Sequence, residues 1–214
     1  MPKERVSVYF DGFNLYHAID DLKKPHLKWV NLFKLSHKLI SKRSQEVVSI
    51  HYFSAFAKYY LGTPSAGKVL RHREYKKALE AKNVTCHMGV FAKRDWYYRG
   101  RNYRARWRRR EEKQTDVSIA VTVIRDAYKD IFDRALIVSC DTDMIPAFEV
   151  MSEEFPEKAA VCVAPPARSH HRSLLMASTD HTVIKESQIV ASLFGAQIIK
   201  NGVVIAKRPP EYKP

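Results

Sequence analysis

The chain has 214 residues, is 45% hydrophobic, and carries 37 Lys and Arg against 23 Asp and Glu, a formal net charge of +14. That length favours one domain with room for an insertion and a sizeable core. No apolar run approaches the ~18 residues of a membrane helix, and the excess of positive charge favours a polyanionic partner, nucleic acid ahead of an anionic membrane surface.

Met-Pro-Lys-Glu-Arg enters a strand almost at once, and is expected to be no secretory leader. Arg5 to Phe10 reads as that strand. Asp11-Gly-Phe-Asn14 follows, and then Leu15, Tyr16, Ala18, Ile19 and Leu22 recur at helical spacing. Asp11 therefore stands at the carboxyl end of a strand, with Gly12 permitting the tight turn and Asn14 at the helix start. Asn31 can cap a helix through Leu32, Leu35, Leu39 and Ile40. Residues 46 to 56, rich in β-branched and aromatic types, read as a second strand. A loop around Gly62 to Gly67 precedes a polar helix from about 68 to 82, and 83 to 92 is a third strand. This alternation implies right-handed βαβ units and a parallel sheet.

Residues 93 to 113 hold ten Lys or Arg against Asp95, Glu111 and Glu112, which is +7 and half of the net charge. Within them Arg94, Arg99, Arg101, Arg104, Arg106 and Arg108 interleave with aromatics that include Trp96 and Tyr97. Gly100 and Asn102 mark a turn, so residues 93–110 form a basic hairpin or arm. A charged run is usually only a solvated loop. Here guanidinium forks for phosphates and aromatic faces for bases favour nucleic-acid contact.

Thr115 is the expected N-cap of a helix whose Val117, Ala120, Val121, Ile124 and Ala127 share a face, placing Asp116 in the first turn. Ala135 to Ser139 is a short buried strand that ends in Asp141 and Asp143, and Pro146 suits the first turn of the next helix. Taken alone, these aspartates are ordinary turn and cap residues. Residues 157 to 164 give another apolar strand. The loop after it, 165 to 173, offers phosphate donors in Arg168, Ser169, Arg172 and Ser173. Adjacent His170 and His171 lack metal spacing. Leu174 to Ser178 reads as a short helix and 182 to 184 as a strand. Asn201-Gly202 is a hairpin turn. Cys86, Cys140 and Cys162 are far apart, so buried thiols in a reducing cytoplasm are expected rather than disulfides or zinc.

Ligands of open α/β sheets bind outside the carboxyl ends of strands, which is where Asp11 and Asp141 fall. The stretches Val8-Tyr-Phe-Asp-Gly-Phe-Asn-Leu15, Lys113-Gln-Thr-Asp-Val117 and Val138-Ser-Cys-Asp-Thr-Asp-Met-Ile-Pro146 together resemble the NYN domain, a branch of the PIN-like nucleases, over roughly residues 5 to 185. The resemblance implies a three-layer α/β/α sandwich with a mainly parallel sheet, and a metal-dependent endoribonuclease. It carries over Asp11, Asp116 and Asp141 as an acidic Mg²⁺ or Mn²⁺ site. Asp143 becomes a ligand or a support for one, and Asn14 orients a metal-bound water or the phosphate. Some relatives have cysteine pairs before the central helix; arginines and aromatics stand there in this chain. The domain would span 1–190, with 191–214 a hairpin and tail of open role.

The chemistry points the same way. Phosphodiesters repel nucleophiles, and clustered carboxylates suit a hard cation that activates water and stabilises in-line attack, leaving a 5′-phosphate and a 3′-hydroxyl. RNA is the expected partner, with DNA second. The alternative is a nucleic-acid-binding module of the same fold without turnover, although no acidic position is visibly replaced. A haloacid-dehalogenase-type phosphatase, whose Asp-x-Asp Asp141-Thr-Asp143 resembles, fits poorly: the motif comes late and Ile145 stands where a Thr is needed.

Overall fold

In the computed structural model, residues 2–99 and 104–214 are described, and side chains are described outside 92–113. The backbone elements are β1 (Glu4–Asp11), α1 (Gly12–Asp21), α2 (Leu32–Ser36), β2 (Gln45–Ala55), α3 (Ala66–Glu80), β3 (Thr85–Arg99), β4 (Arg104–Lys113), α4 (Thr115–Tyr128), β5 (Arg134–Val138), α5 (Ile145–Glu154), β6 (Ala159–Ala164), α6 (Arg172–Ala177), β7 (Asp180–Val183), α7 (Glu186–Val190), β8 (Gln197–Lys200) and β9 (Val203–Lys207). A seven-stranded sheet has the order β4-β3-β2-β1-β5-β6-β7. All its neighbours are parallel except the β3–β4 pair.

Strand residues alternate between two cores, as a pleat with both faces covered requires. Val6, Val8, Phe10, Leu136, Val138, Val161 and Val163 face α1, α2, α3 and α7, around Trp29 and Leu35. Tyr9, Ala135, Ile137, Ala160 and Cys162 face α4, α5 and α6, around Ile119, Phe148 and Met151. The result is the expected three layers. Ile198 of β8, Ala206 of β9 and Phe194 just before them join the first core, and Trp29 Nε1 donates to the Gly195 carbonyl at 3.0 Å. The C-terminal hairpin therefore completes the first core. Asn201 and Gly202 at its turn both take positive φ (52° and 77°), as a tight hairpin turn needs.

Sheet order decides where the site lies. The chain builds outward from β1 through β2, β3 and β4, then returns to place β5 on the other side of β1. The switch point is thus between the carboxyl ends of β1 and β5, the crevice that binds ligands in such sheets. Gly12 is needed at the end of β1: a Cβ there would meet the Phe53 carbonyl oxygen and the Tyr52 ring at 2.6 Å.

Several boundaries differ from sequence. β3 continues past the third strand expected at 83–92, because residues Val90 to Arg99 pair antiparallel with β4 beyond the last β2 partner, Gly89. The basic segment is therefore a hairpin, with ten residues of β3 projecting about 33 Å at the usual rise per residue. Leu39 and Ile40 lie beyond α2, which ends at Ser36 although Asn31 caps it as expected (Lys34 N to Oδ1, 3.1 Å). Thr115 is the first helical residue of α4, not its N-cap. Gln114 precedes it at φ 80°, a left-handed conformation that costs a non-glycine residue of order 1 kcal/mol.

Candidate metal centre and nucleic-acid interface

Asp11 ends β1 and turns its side chain back over α1. Oδ1 accepts from the amides of Phe13 and Asn14, each at 3.0 Å, and Oδ2 accepts from Ser139 Oγ at 3.0 Å. Ser139, at the end of β5, also accepts from the Asp141 amide through the same Oγ at 3.1 Å. One buried hydroxyl thus ties the ends of both central strands together. Asn14 Oδ1 accepts from the Cys140 amide at 3.3 Å, a second tie across the switch point. With that oxygen accepting, the NH₂ group is the donor end of the Asn14 side chain.

Asp11 is 5% exposed. Burial pushes its pKa up from 3.8 to about 6; the three hydrogen bonds pull the other way, and Asp116 nearby adds to the rise.

Asp141 caps the short 3-10 turn Thr142–Met144 by accepting from the Asp143 amide at 3.0 Å. This is the capping role that Asp143 would have taken in the ordinary turn reading, and it frees the Asp143 carboxylate. Carboxylate oxygens of Asp116, Asp141 and Asp143 lie within 4.8 Å of one another. Asp116 comes from the first turn of α4, held there by the strained Gln114. Ligands on opposite sides of a single hard cation are about 4–5 Å apart for bonds of 2.1–2.5 Å, so an all-oxygen donor set with this spacing could hold a hard divalent cation. Asp11 stands behind this group with both oxygens already accepting hydrogen bonds.

Among the phosphate donors expected from the loop after β6, Arg168, Ser169 and Arg172 are exposed and Ser173 is half-buried. Arg168 is paired with Asp21 at the end of α1. Ser173 Oγ lies 2.6 Å from His171 Nδ1, within the cap of α6. The side chains of Arg94, Trp96, Tyr97, Arg99, Arg104, Arg106 and Arg108, and all of Arg101, lie outside the described residues. The backbone places their strands at the sheet edge beside β2, and β4 runs directly into Gln114 and α4.

A cleft of about 730 Å³ opens beside Asp141. It runs between α1 and α3 over the end of β2, lined by Phe13 and Tyr16, by Tyr59 and Tyr60, and by Lys28 and Arg71. Sequence reading passed over it because its walls come from seven separate stretches of chain. The Tyr59-Tyr60 pair ahead of the Gly62 loop was the one local signal.

The sequence profile of the NYN domain family matches residues 5–185. A protein of Pseudomonas putida named 6-hydroxy-3-succinoylpyridine 3-monooxygenase HspA is 27% identical over 210 residues, covering 82% of this chain and 63% of that protein. Among solved structures, a protein of unknown function from Vibrio parahaemolyticus superposes with a TM-score of 0.58 at 16% identity, over 86% of this chain and 94% of that one. It shares the fold. In the described residues no helix is long and apolar enough to cross a membrane.

Proposed function

Because the chain belongs to the NYN domain family, whose fold is of nuclease type, we propose that it is a metal-dependent endoribonuclease. The observation that carries the reading is the convergence of Asp116, Asp141 and Asp143 at the β1–β5 switch point. These three carboxylates would hold Mg²⁺ or Mn²⁺. A divalent ion there would supply positive charge to the scissile phosphate and lower the pKa of an attacking water.

The chain's own groups do the rest. Ser139 and Asp11 fix the strand ends on which the ligands stand, so that the carboxylates need little rearrangement. Asn14 donates from its NH₂ to the phosphate or to the water. The basic hairpin, with Arg94, Trp96, Tyr97 and the arginines up to Arg108, and the loop with Arg168, Ser169, Arg172 and Ser173 would grip the strand on both sides. Residues 1–190 then carry the nuclease, and 191–214 complete its core.

The Pseudomonas relative's name supports a second reading, oxygenation of a nitrogen heterocycle, because the cleft beside Asp141 is aromatic. The donor set favours hydrolysis. Three carboxylates suit a hard ion, whereas non-haem iron oxygenases use two histidines and one carboxylate.

The test is cleavage of labelled single-stranded RNA and DNA by wild type and Asp141→Asn, with Mn²⁺, Mg²⁺ or EDTA. RNA cut only with metal, and at least 100-fold more slowly by the variant, supports the proposal. Tight binding without cutting under any metal supports a binding module instead.

A further inference from the structure

We infer that the cleft beside Asp141 is a nucleobase site, which takes one unpaired base of the strand being cut together with a neighbouring phosphate. The inference rests on the nuclease reading and adds a base-binding subsite to it.

The volume, about 730 Å³, lies within the roughly 300–1,000 Å³ of small-molecule sites. The lining is aromatic and cationic in alternation. Lys28 Nζ lies 4.5 Å from the centre of the Tyr16 ring, and Lys68 Nζ 5.3 Å from that of Tyr60. At the far end, the Arg71 guanidinium lies 5.9 Å from the centre of the Tyr212 ring. A flat π system attached to an anion matches rings with cations beside them, and every nucleotide is such a unit.

The rings are also braced. Phe91 packs edge-on against Phe13 (5.7 Å, 88°) and against Tyr59 (5.3 Å, 79°). A pre-set wall loses little entropy when a base stacks on it. Polar atoms are supplied at the floor, where Tyr52 Oη and His72 Nε2 are 3.3 Å apart. Arg71 Nε is buried with no hydrogen-bond partner, while its Nη1 pairs with Glu211 at 2.6 Å. Among the described lining residues Asp141 is the one carboxylate. Asp141 therefore belongs both to the cleft wall and to the carboxylate centre, so a strand with a base in the cleft lies beside the ion site.

The test compares a labelled pentaribonucleotide with its fully abasic counterpart by fluorescence anisotropy in EDTA, where no cutting is expected. Wild type should bind the intact strand about tenfold more tightly, the lower part of the range for a base on an aromatic face. Tyr60→Ala should narrow that gap by about fivefold or more while leaving the affinity for the abasic strand unchanged, the remainder being stacking on the aromatics of the basic hairpin. Tyr16→Ala, an exposed ring on the opposite wall, gives an independent second reading, and thermal melts confirm that both variants fold. Equal binding of the intact and abasic strands by wild type, or a gap that survives both variants, would overturn the assignment. The readout does not involve turnover, so its failure leaves the nuclease reading standing. Failure of the cleavage assay beside an intact base gap would instead remove turnover alone.

Discussion

Replacing Asp11 with Asn should stabilise the metal-free protein at neutral pH. Asp11 is 5% exposed, and burial is the largest cause of its raised pKa, from 3.8 to about 6. The folded pKa lies above the unfolded one, so this carboxyl favours folding fully below pH 3.8. That contribution is lost as pH rises through about 6. Linkage over those two values gives a loss of about 2 kcal/mol between pH 4.5 and 7.5. The amide oxygen of the Asp11→Asn variant would still accept from the Phe13 and Asn14 amides, and the side chain would not titrate. Its weaker hydrogen bonds lower stability by about 1 kcal/mol at every pH, a constant offset. Urea unfolding in EDTA at both pH values measures the difference between variant and wild type. It should move by about 2 kcal/mol in favour of the variant on going to pH 7.5. A difference unchanged within ~0.5 kcal/mol, the size of an ordinary surface effect, would refute the premise that Asp11 is a desolvated carboxyl bridging two strand ends.

Gly12→Ala should lower stability by about 1–3 kcal/mol, since the atom its Cβ would strike is the backbone carbonyl of Phe53 and cannot rotate away; equal denaturation midpoints would contradict the packing of α1 on β2. Ending the chain after Val190 strips Phe194, Ile198 and Ala206 from the first core and uncovers Trp29. Losing two large side chains there should cost about 4–8 kcal/mol, enough to abolish a cooperative melt; a truncated chain that melts like wild type would make the hairpin an appendage. Burial lowers the His72 pKa from 6.5 to about 4. Its contribution is therefore full above pH 6.5 and lost as pH falls towards 4, by up to about 3 kcal/mol. His72→Phe should remove that acid-side loss, and parallel stability curves for the two proteins would exclude it.

The sheet was legible because both faces are covered: strands that alternate between two cores read as short apolar runs, as 135 to 139 and 159 to 164 do. The carboxyl-end aspartates were legible for the same reason, each following such a run. What sequence could not supply was the division of labour among them. Asp11, Asp141 and Asp143 all look like ligands or caps, and only the fold shows that Asp11 accepts from Phe13, Asn14 and Ser139 while carboxylate oxygens of Asp116, Asp141 and Asp143 lie within 4.8 Å of one another. Thr115 looked like a cap because helix-start chemistry favours Thr. The incoming β4 instead fixes the helix start at a left-handed Gln114, tertiary structure overriding local preference. The cleft was illegible for a different reason: no periodicity links Tyr16, Tyr60 and Arg71, which meet only through packing of α1 and α3 on β2.

The central claim is that a cation held by Asp116, Asp141 and Asp143 acts on the scissile phosphate of RNA. The most direct measurement is cleavage of an RNA with one phosphorothioate at the cut linkage, sulfur replacing a non-bridging oxygen. Mg²⁺ binds oxygen and not sulfur, whereas softer Mn²⁺ tolerates both. The account predicts a rate at least tenfold lower than for the all-oxygen RNA in Mg²⁺, restored by Mn²⁺, and lost under both ions in Asp141→Asn. Equal rates for sulfur and oxygen in each ion, or cutting that persists in EDTA, would contradict it.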